Sequence, residues 1–259
     1  MSVALVAGTL APAARGAGPD GKFDERGSSH FRLLQDVGFQ RYSGPGGARA
    51  FERAVLEVLE AAYRQVGDTI AIRPRARIAV VIYDSAAFDE RFGGMFGFRA
   101  AGFFDGSIQV RGAPRIDQRL LRTLHHEYTH AALHSVSPDV FPAWLNEGLA
   151  EYFEALAAGK RHLTHGEHTY LSNAVARGRW IPLQALGTRT FGHLGTDSAS
   201  LAYLQSYATV EYLVRRHGMR KLRDLCRNLA RSRNVSTALE RTYRMELADL
   251  EAALLAELG

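Results

Sequence analysis

Leu120-Leu121-Arg122-Thr123-Leu124-His125-His126-Glu127-Tyr128-Thr129-His130-Ala131-Ala132-Leu133 is the stretch on which the reading of this chain turns. Leu120, Leu121, Leu124, Ala131 and Leu133 supply the buried stripe of an amphipathic helix, and an H-E-x-x-H pattern is written across it at positions 126 to 130. At 3.6 residues per turn, His126 and His130 stack on one face about 6 Å apart along the axis, so both imidazoles can grip one ion. Zn2+ suits such a pair, because it binds neutral imidazole nitrogen and in catalytic sites keeps three protein ligands and one open position. Glu127 points beside that ion, where a carboxylate takes the proton of a water that zinc acidifies to a pKa of about 7.

A third ligand must come from elsewhere. His134 lies about 12 Å from position 126 along the axis, too far for one tetrahedral centre, and His125 is turned away by about 100°. Both read as structural or supporting residues, which leaves the carboxylates of the next helix. Val136 stands where a metzincin would carry its third histidine. Asp197, after Gly195-Thr196, is a minor candidate for an aspartate ligand of the aspzincin kind.

Working outward, His30 to Leu34 reads as a short strand, and Phe51, Val55, Val58, Leu59 and Ala62 recur as one face of a helix that Gly67 ends. Arg77 to Tyr83, RIAVVIY, is a β-branched run suited to a strand buried on both faces. Between Gly93 and Gly112, glycines punctuate a stretch ending in Ser107-Ile108-Gln109-Val110, which reads equally as an edge strand facing a ligand or a surface hairpin. From Ile116 the pattern is helical, over about 116–135, 144–158, 199–217, 219–231 and 235–257. Strands first and helices second make the class α+β.

Composition agrees with a globular domain: 259 residues, 46% apolar and 23% charged, which excludes a disordered or collagen-like chain. With one cysteine, Cys226, neither an intramolecular disulfide nor a cysteine-rich zinc ribbon can form, so any metal needs histidine and carboxylate ligands. Set in a helical apolar context, Cys226 reads as a buried inert thiol. The net charge of +5 concentrates between Arg215 and Arg233, interleaved with leucines as in a solvated helix face, so no nucleic-acid partner is expected. No run is long enough for a transmembrane helix. Val3 to Ala14 has the length of a secretory core without a preceding positive charge, so residues 1–29 are expected to be a flexible tail or a remnant signal segment. The compartment is then periplasmic or extracellular in the second case and cytoplasmic in the first.

His126-Glu127-Tyr128-Thr129-His130 followed by Trp144-Leu145-Asn146-Glu147-Gly148-Leu149-Ala150-Glu151-Tyr152-Phe153 resembles the gluzincins, the thermolysin and aminopeptidase N type of zinc peptidase. The likeness is greatest to bacterial peptidase MA-like domains and covers roughly residues 30–230. It implies a zincin-like fold, with a mixed sheet lobe over about 30–115 packed on a helical lobe over about 116–259. It implies that His126, His130 and Glu147 hold Zn2+, that Glu127 is the catalytic base, and that Glu151 supports a zinc histidine from the second shell of residues. Tyr203, with Tyr212-Leu213 nine and ten positions later, matches the family's catalytic tyrosine, with Tyr207 as the runner-up. Ile108, Gln109 and Val110 would bind an extended peptide as the edge strand, and Phe103 and Phe104 would line a pocket. Gly94-Met95-Phe96 lacks the amine-binding glutamate of the aminopeptidase G-x-M-E-N element, so trimming of N-termini is not expected. The expected activity is zinc-dependent hydrolysis of a peptide or protein substrate; the alternative is an inactive zincin-like domain that binds a peptide or envelope partner. A segment such as His162 to His168 could cover the cleft.

Overall fold

In the computed structural model, which describes residues 3–4, 23–36, 47–95, 100–113 and 115–259, strands and helices alternate at first and helices follow to the end. The elements of the first part are β1 (Val3–Ala4), β2 (Phe23–Gly27), β3 (Phe31–Asp36), α1 (Gly47–Ile70), β4 (Ile78–Tyr83), α2 (Ser85–Phe92), β5 (Gly102–Phe104) and β6 (Ile108–Arg111). The second part is α3 (Gln118–His134), α4 (Ala143–Ala157), α5 (His165–Ala176), α6 (Thr196–His217), α7 (Met219–Ser232), α8 (Val235–Tyr243) and α9 (Leu247–Leu258).

The mixed sheet has the order β1-β5-β6-β4-β3-β2. Its centre is parallel, with Leu33 opposite Val80 and Val80 opposite Ile108, while β2 and β5 join antiparallel and β1 joins parallel to β5. Parallel central strands are covered on both faces, which is why β4 is apolar along its whole length. Leu33, Val80, Ile82, Ile108 and Val110 face the main core with α1, α3 and the later helices; Leu34, Val81, Tyr83 and Phe103 meet Phe88 and Phe92 of α2 on the opposite face.

Several sequence expectations change. Ile108, Gln109 and Val110 do not form an edge: a turn at Asp105 to Ser107 folds β5 back on β6, so β6 is paired on both sides and has no free backbone groups to offer a peptide. Outermost of that hairpin is β5, and Val3–Ala4 lies along its outer side. Phe23–Gly27, read with the tail, is a sheet strand. The final helical stretch breaks in two at Arg244, whose φ of 57° is left-handed. Thr164 and Glu167 cap each other reciprocally and start α5, a helix that the polar run from His162 to His168 had concealed. Residues 5–22, which hold most of the suspected leader, and Phe96 lie outside the described residues. No helix among the described residues is long and apolar enough to cross a membrane.

On α7 the sequence reading holds, with Leu222, Leu225, Cys226 and Leu229 buried beneath a basic face. Burial pushes the Cys226 thiol up to about 12, as an inert thiol requires. Arg223 reaches from this face to the carbonyls of Asp68 and Thr69 and so closes the C-terminal end of α1.

α4 and α6 meet backbone to backbone at Gly148. A Cβ there would stand 2.4 Å from the Ser206 carbonyl oxygen and 2.8 Å from Val210 Cγ2. Gly148→Ala is therefore expected to destabilise the fold by about 1–3 kcal/mol, as overpacking does. Gly166→Ala in α5, where a Cβ meets nothing within 4 Å, should cost nothing. Urea melts of the two variants check the contrast; equal midpoints would contradict the close contact.

Candidate active site

α3 starts where Asp117 accepts the Leu120 amide at 2.8 Å, which satisfies an amide left open at the helix end. The two helices run antiparallel: Arg122 and His126 meet Glu154 late in α4, whereas His130 meets Asn146 and Glu147 early in it. His126 Nε2 and His130 Nε2 thereby stand 3.6 and 3.4 Å from one carboxylate oxygen, Glu147 Oε2. One ligand atom from each residue lies within 4.8 Å of the others, and all three side chains are buried.

Each imidazole is held from behind. His126 Nδ1 is 2.8 Å from Glu154 Oε2, and Glu154 is in turn held by Arg122 Nε at 2.8 Å. His130 Nδ1 is 3.2 Å from Asn146 Oδ1. With Nδ1 donating outward, the lone pair of each Nε2 faces inward, the arrangement that second partners give a metal-binding histidine. Glu151, expected behind His126, stands 4.0 Å from its Nδ1, and the hydrogen bond belongs to Glu154. The reason is geometric: in an antiparallel pair, the residue level with His126 lies two turns beyond Glu147 rather than one. His126 Nδ1, Glu151 and Glu154 form a second possible ligand group, but His126 is common to both groups.

His126 Nε2, His130 Nε2 and Glu147 Oε2 are buried and make no hydrogen bond. Two imidazole nitrogens and a carboxylate oxygen, orphaned and converging, are the donor set of a divalent cation, and these residues fit one. The electrostatics agree. Burial alone would depress His126, but the carboxylates of Glu147 and Glu154 hold its pKa well above the usual range. Burial likewise opposes ionisation of Glu147 and Glu154, yet the imidazoles beside both, and Arg122 beside Glu154, hold each at about 2. Burial and the charge of Glu154 raise Glu151 to about 7.

Glu127 is buried on the side of α3 that faces β5. Gly102 makes this possible, since a Cβ there would stand 3.2 Å from Glu127 Cγ and 2.9 Å from Thr123 Cγ2. Tyr203 of α6 is buried edge-on against Phe191 at 5.3 Å, and burial with the charges of Glu147, Glu151 and Glu127 drives its pKa well up. Lys160 lies 4.2 Å over the ring of Tyr207, and burial, then the charges of Glu167 and Glu211 and to a smaller extent Glu151, raise the pKa of its phenol. His125 bonds the Leu121 carbonyl at 3.0 Å, His134 packs edge-on against Phe104, and Asp197 is exposed in the first turn of α6, so none joins the cluster. Glu154 and Asn146 are the residues that sequence reasoning missed. The signal was available in the seven-residue spacing from Glu147 to Glu154, which returns to one helix face.

A sheet lobe packed on a helical lobe, with two histidines of one helix turned on a glutamate of the next, is a zincin-like arrangement. The chain belongs to the peptidase MA superfamily, whose sequence profile matches residues 82–258. The match begins inside β4 and takes in every side chain of the cluster. It starts later and ends later than the span of about 30–230 read from the sequence, while β3 and α1, outside it, share the same core. A comparison with curated proteins gives no match.

Two outcomes follow. Glu154→Gln should weaken divalent-cation binding about 10- to 100-fold, as loss of a supporting partner does, measured by competition with a chromophoric chelator. The second concerns pH. His126 and Glu151 bind protons more tightly in the folded chain than unfolded, so in the metal-free protein their contribution is lost as pH rises, above 6.5 for His126 and between 4.5 and about 7 for Glu151. Glu147 and Glu154 contribute above 4.5 and lose that contribution toward about 2. The Tm of metal-free protein should therefore fall from about pH 5 to pH 8, and the rise produced by Zn2+ should grow over the same interval. A flat calorimetric profile would contradict this.

Proposed function

We propose that the protein is a zinc metallopeptidase of the gluzincin kind that hydrolyses peptide bonds within a peptide or protein substrate. The observation that carries this is the convergence of three buried, orphaned donor atoms, His126 Nε2, His130 Nε2 and Glu147 Oε2, with the buried Glu127 carboxylate near enough for its charge to raise the pKa of His126. When bound there, Zn2+ supplies a Lewis acid that polarises the scissile carbonyl and acidifies water.

The remaining work belongs to the chain. His126 and His130 present Nε2 because Glu154 and Asn146 occupy their Nδ1 atoms. The Glu127 carboxylate accepts a proton from the attacking water and returns it to the leaving amine. Tyr203 Oη donates to the oxyanion at the scissile carbonyl; burial, and then the charges around the ring, keep this phenol protonated, as a donor must be. An extended substrate takes the outer edge of β5, in place of Val3–Ala4, because that edge adjoins Glu127 through Gly102.

Glu127→Gln is expected to abolish turnover of a fluorogenic peptide while retaining one zinc per chain by atomic absorption, whereas Glu147→Ala loses the zinc. Tyr203→Phe should lower kcat by about 10²- to 10³-fold with little change in KM, and Tyr207→Phe should leave kcat close to wild type. Wild type with bound zinc that captures peptides but cleaves none would overturn the proposal.

A further inference from the structure

A cavity of about 680 Å3 lies at the C-terminal end of α3, between the β5–β6 turn, the segment joining α1 to β4, and α7; Ala131 and His134 of α3 line it, and His126, His130 and Glu147 do not. Its floor is apolar, with Ile72, Ile78 and Phe104 buried and Val136 partly exposed. Its rim is basic: Arg73, Arg75 and Arg77 alternate along Ile72-Arg73-Pro74-Arg75-Ala76-Arg77, and Arg227 and Arg231 face them from α7. Asp68 pairs with Arg73 and Asp224 with Arg227. Arg75, Arg77 and Arg231 are exposed and make no ion pair among the described residues. Five guanidinium groups against two carboxylates leave the rim positive, and the guanidinium fork matches a carboxylate with two parallel hydrogen bonds.

The position of the cavity selects its occupant. β5 passes Glu127 at Gly102 and reaches His134 at Phe104, and Phe104 and Gly106 are also cavity wall. Glu127 and His134 are seven residues apart on α3, or about 10 Å, which an extended chain covers in about three residues. A chain lying on β5 with its reacting bond at Glu127 therefore reaches Phe104 and the β5–β6 turn, one wall of the cavity, about three residues further on, and the arginines of the segment before β4 stand across that turn, beyond β6.

We infer that the arginine-rimmed cavity is a specificity site for acidic residues of the substrate, about three to five positions to one side of the bond that is cut. The inference rests on the peptidase reading for its register, so its test separates binding from turnover. Two fluorescein-labelled peptides share one cleavable body and differ in a tail of four aspartates or four asparagines. Binding is read by anisotropy on zinc-loaded Glu127→Gln protein, and kcat/KM on the active enzyme.

The acidic tail should bind at least about tenfold tighter, and the advantage should shrink as salt rises, as charge complementarity at an exposed rim requires. Arg75→Ala/Arg77→Ala/Arg231→Ala should bring the two peptides level. Arg53→Ala/Arg220→Ala/Arg241→Ala, three exposed arginines outside the cavity, should preserve the difference. Discrimination in binding with no cleavage of either peptide supports the cavity and rejects the peptidase reading. Cleavage of both peptides with equal binding and equal kcat/KM overturns the cavity assignment. So does uptake of inorganic phosphate or of phosphatidylglycerol vesicles that needs Arg75, Arg77 and Arg231 when the tails are not distinguished.

Discussion

Two imidazoles and a carboxylate brought to one buried point, with no hydrogen bonds among them, are the constraint that the rest of the structure accommodates. Buried polar atoms without partners cost on the order of 1–3 kcal/mol each, so nothing in folding alone favours this convergence. The helices are held in register by what surrounds it: the Arg122–Glu154–His126 chain, the His130–Asn146 bond, and the contact of α4 with α6 at Gly148. An arrangement that is poor as a core and well supported from behind is what a cation site looks like before its charge is counted.

The electrostatics make the same point from the other side. Without a cation the cluster binds protons, since His126 is driven up by two carboxylates and Glu151 by burial and Glu154. A divalent ion held there would replace that positive charge, so its loading and the release of protons would be one equilibrium. This is also why the buried carboxylates tolerate burial at all.

Most of the helical half could be read from the chain because its signals are local. The H-E-x-x-H spacing, the apolar stripe of α3 and the Asn146-Glu147-Gly148 element each fit within a few turns. The sheet order is non-local: alternation in Ile108 to Val110 suits an edge strand and a hairpin equally, the family likeness favours the edge, and nothing in the stretch reports that β5 folds back on β6. Glu154 escaped for a similar reason. Its partnership with His126 depends on α4 running against α3, which no residue of either helix encodes alone. α5 was hidden because its helical start rests on the Thr164–Glu167 cap rather than on a strong apolar stripe.

Gly148 has a mechanical meaning beyond its fit. Where two helices touch through bare backbone there is no layer of side chains to slide on, so α4 and α6 translate as one piece and carry Glu147 and Tyr203 together. The distance between those two side chains is thereby set by backbone contact rather than by an intervening layer of side chains.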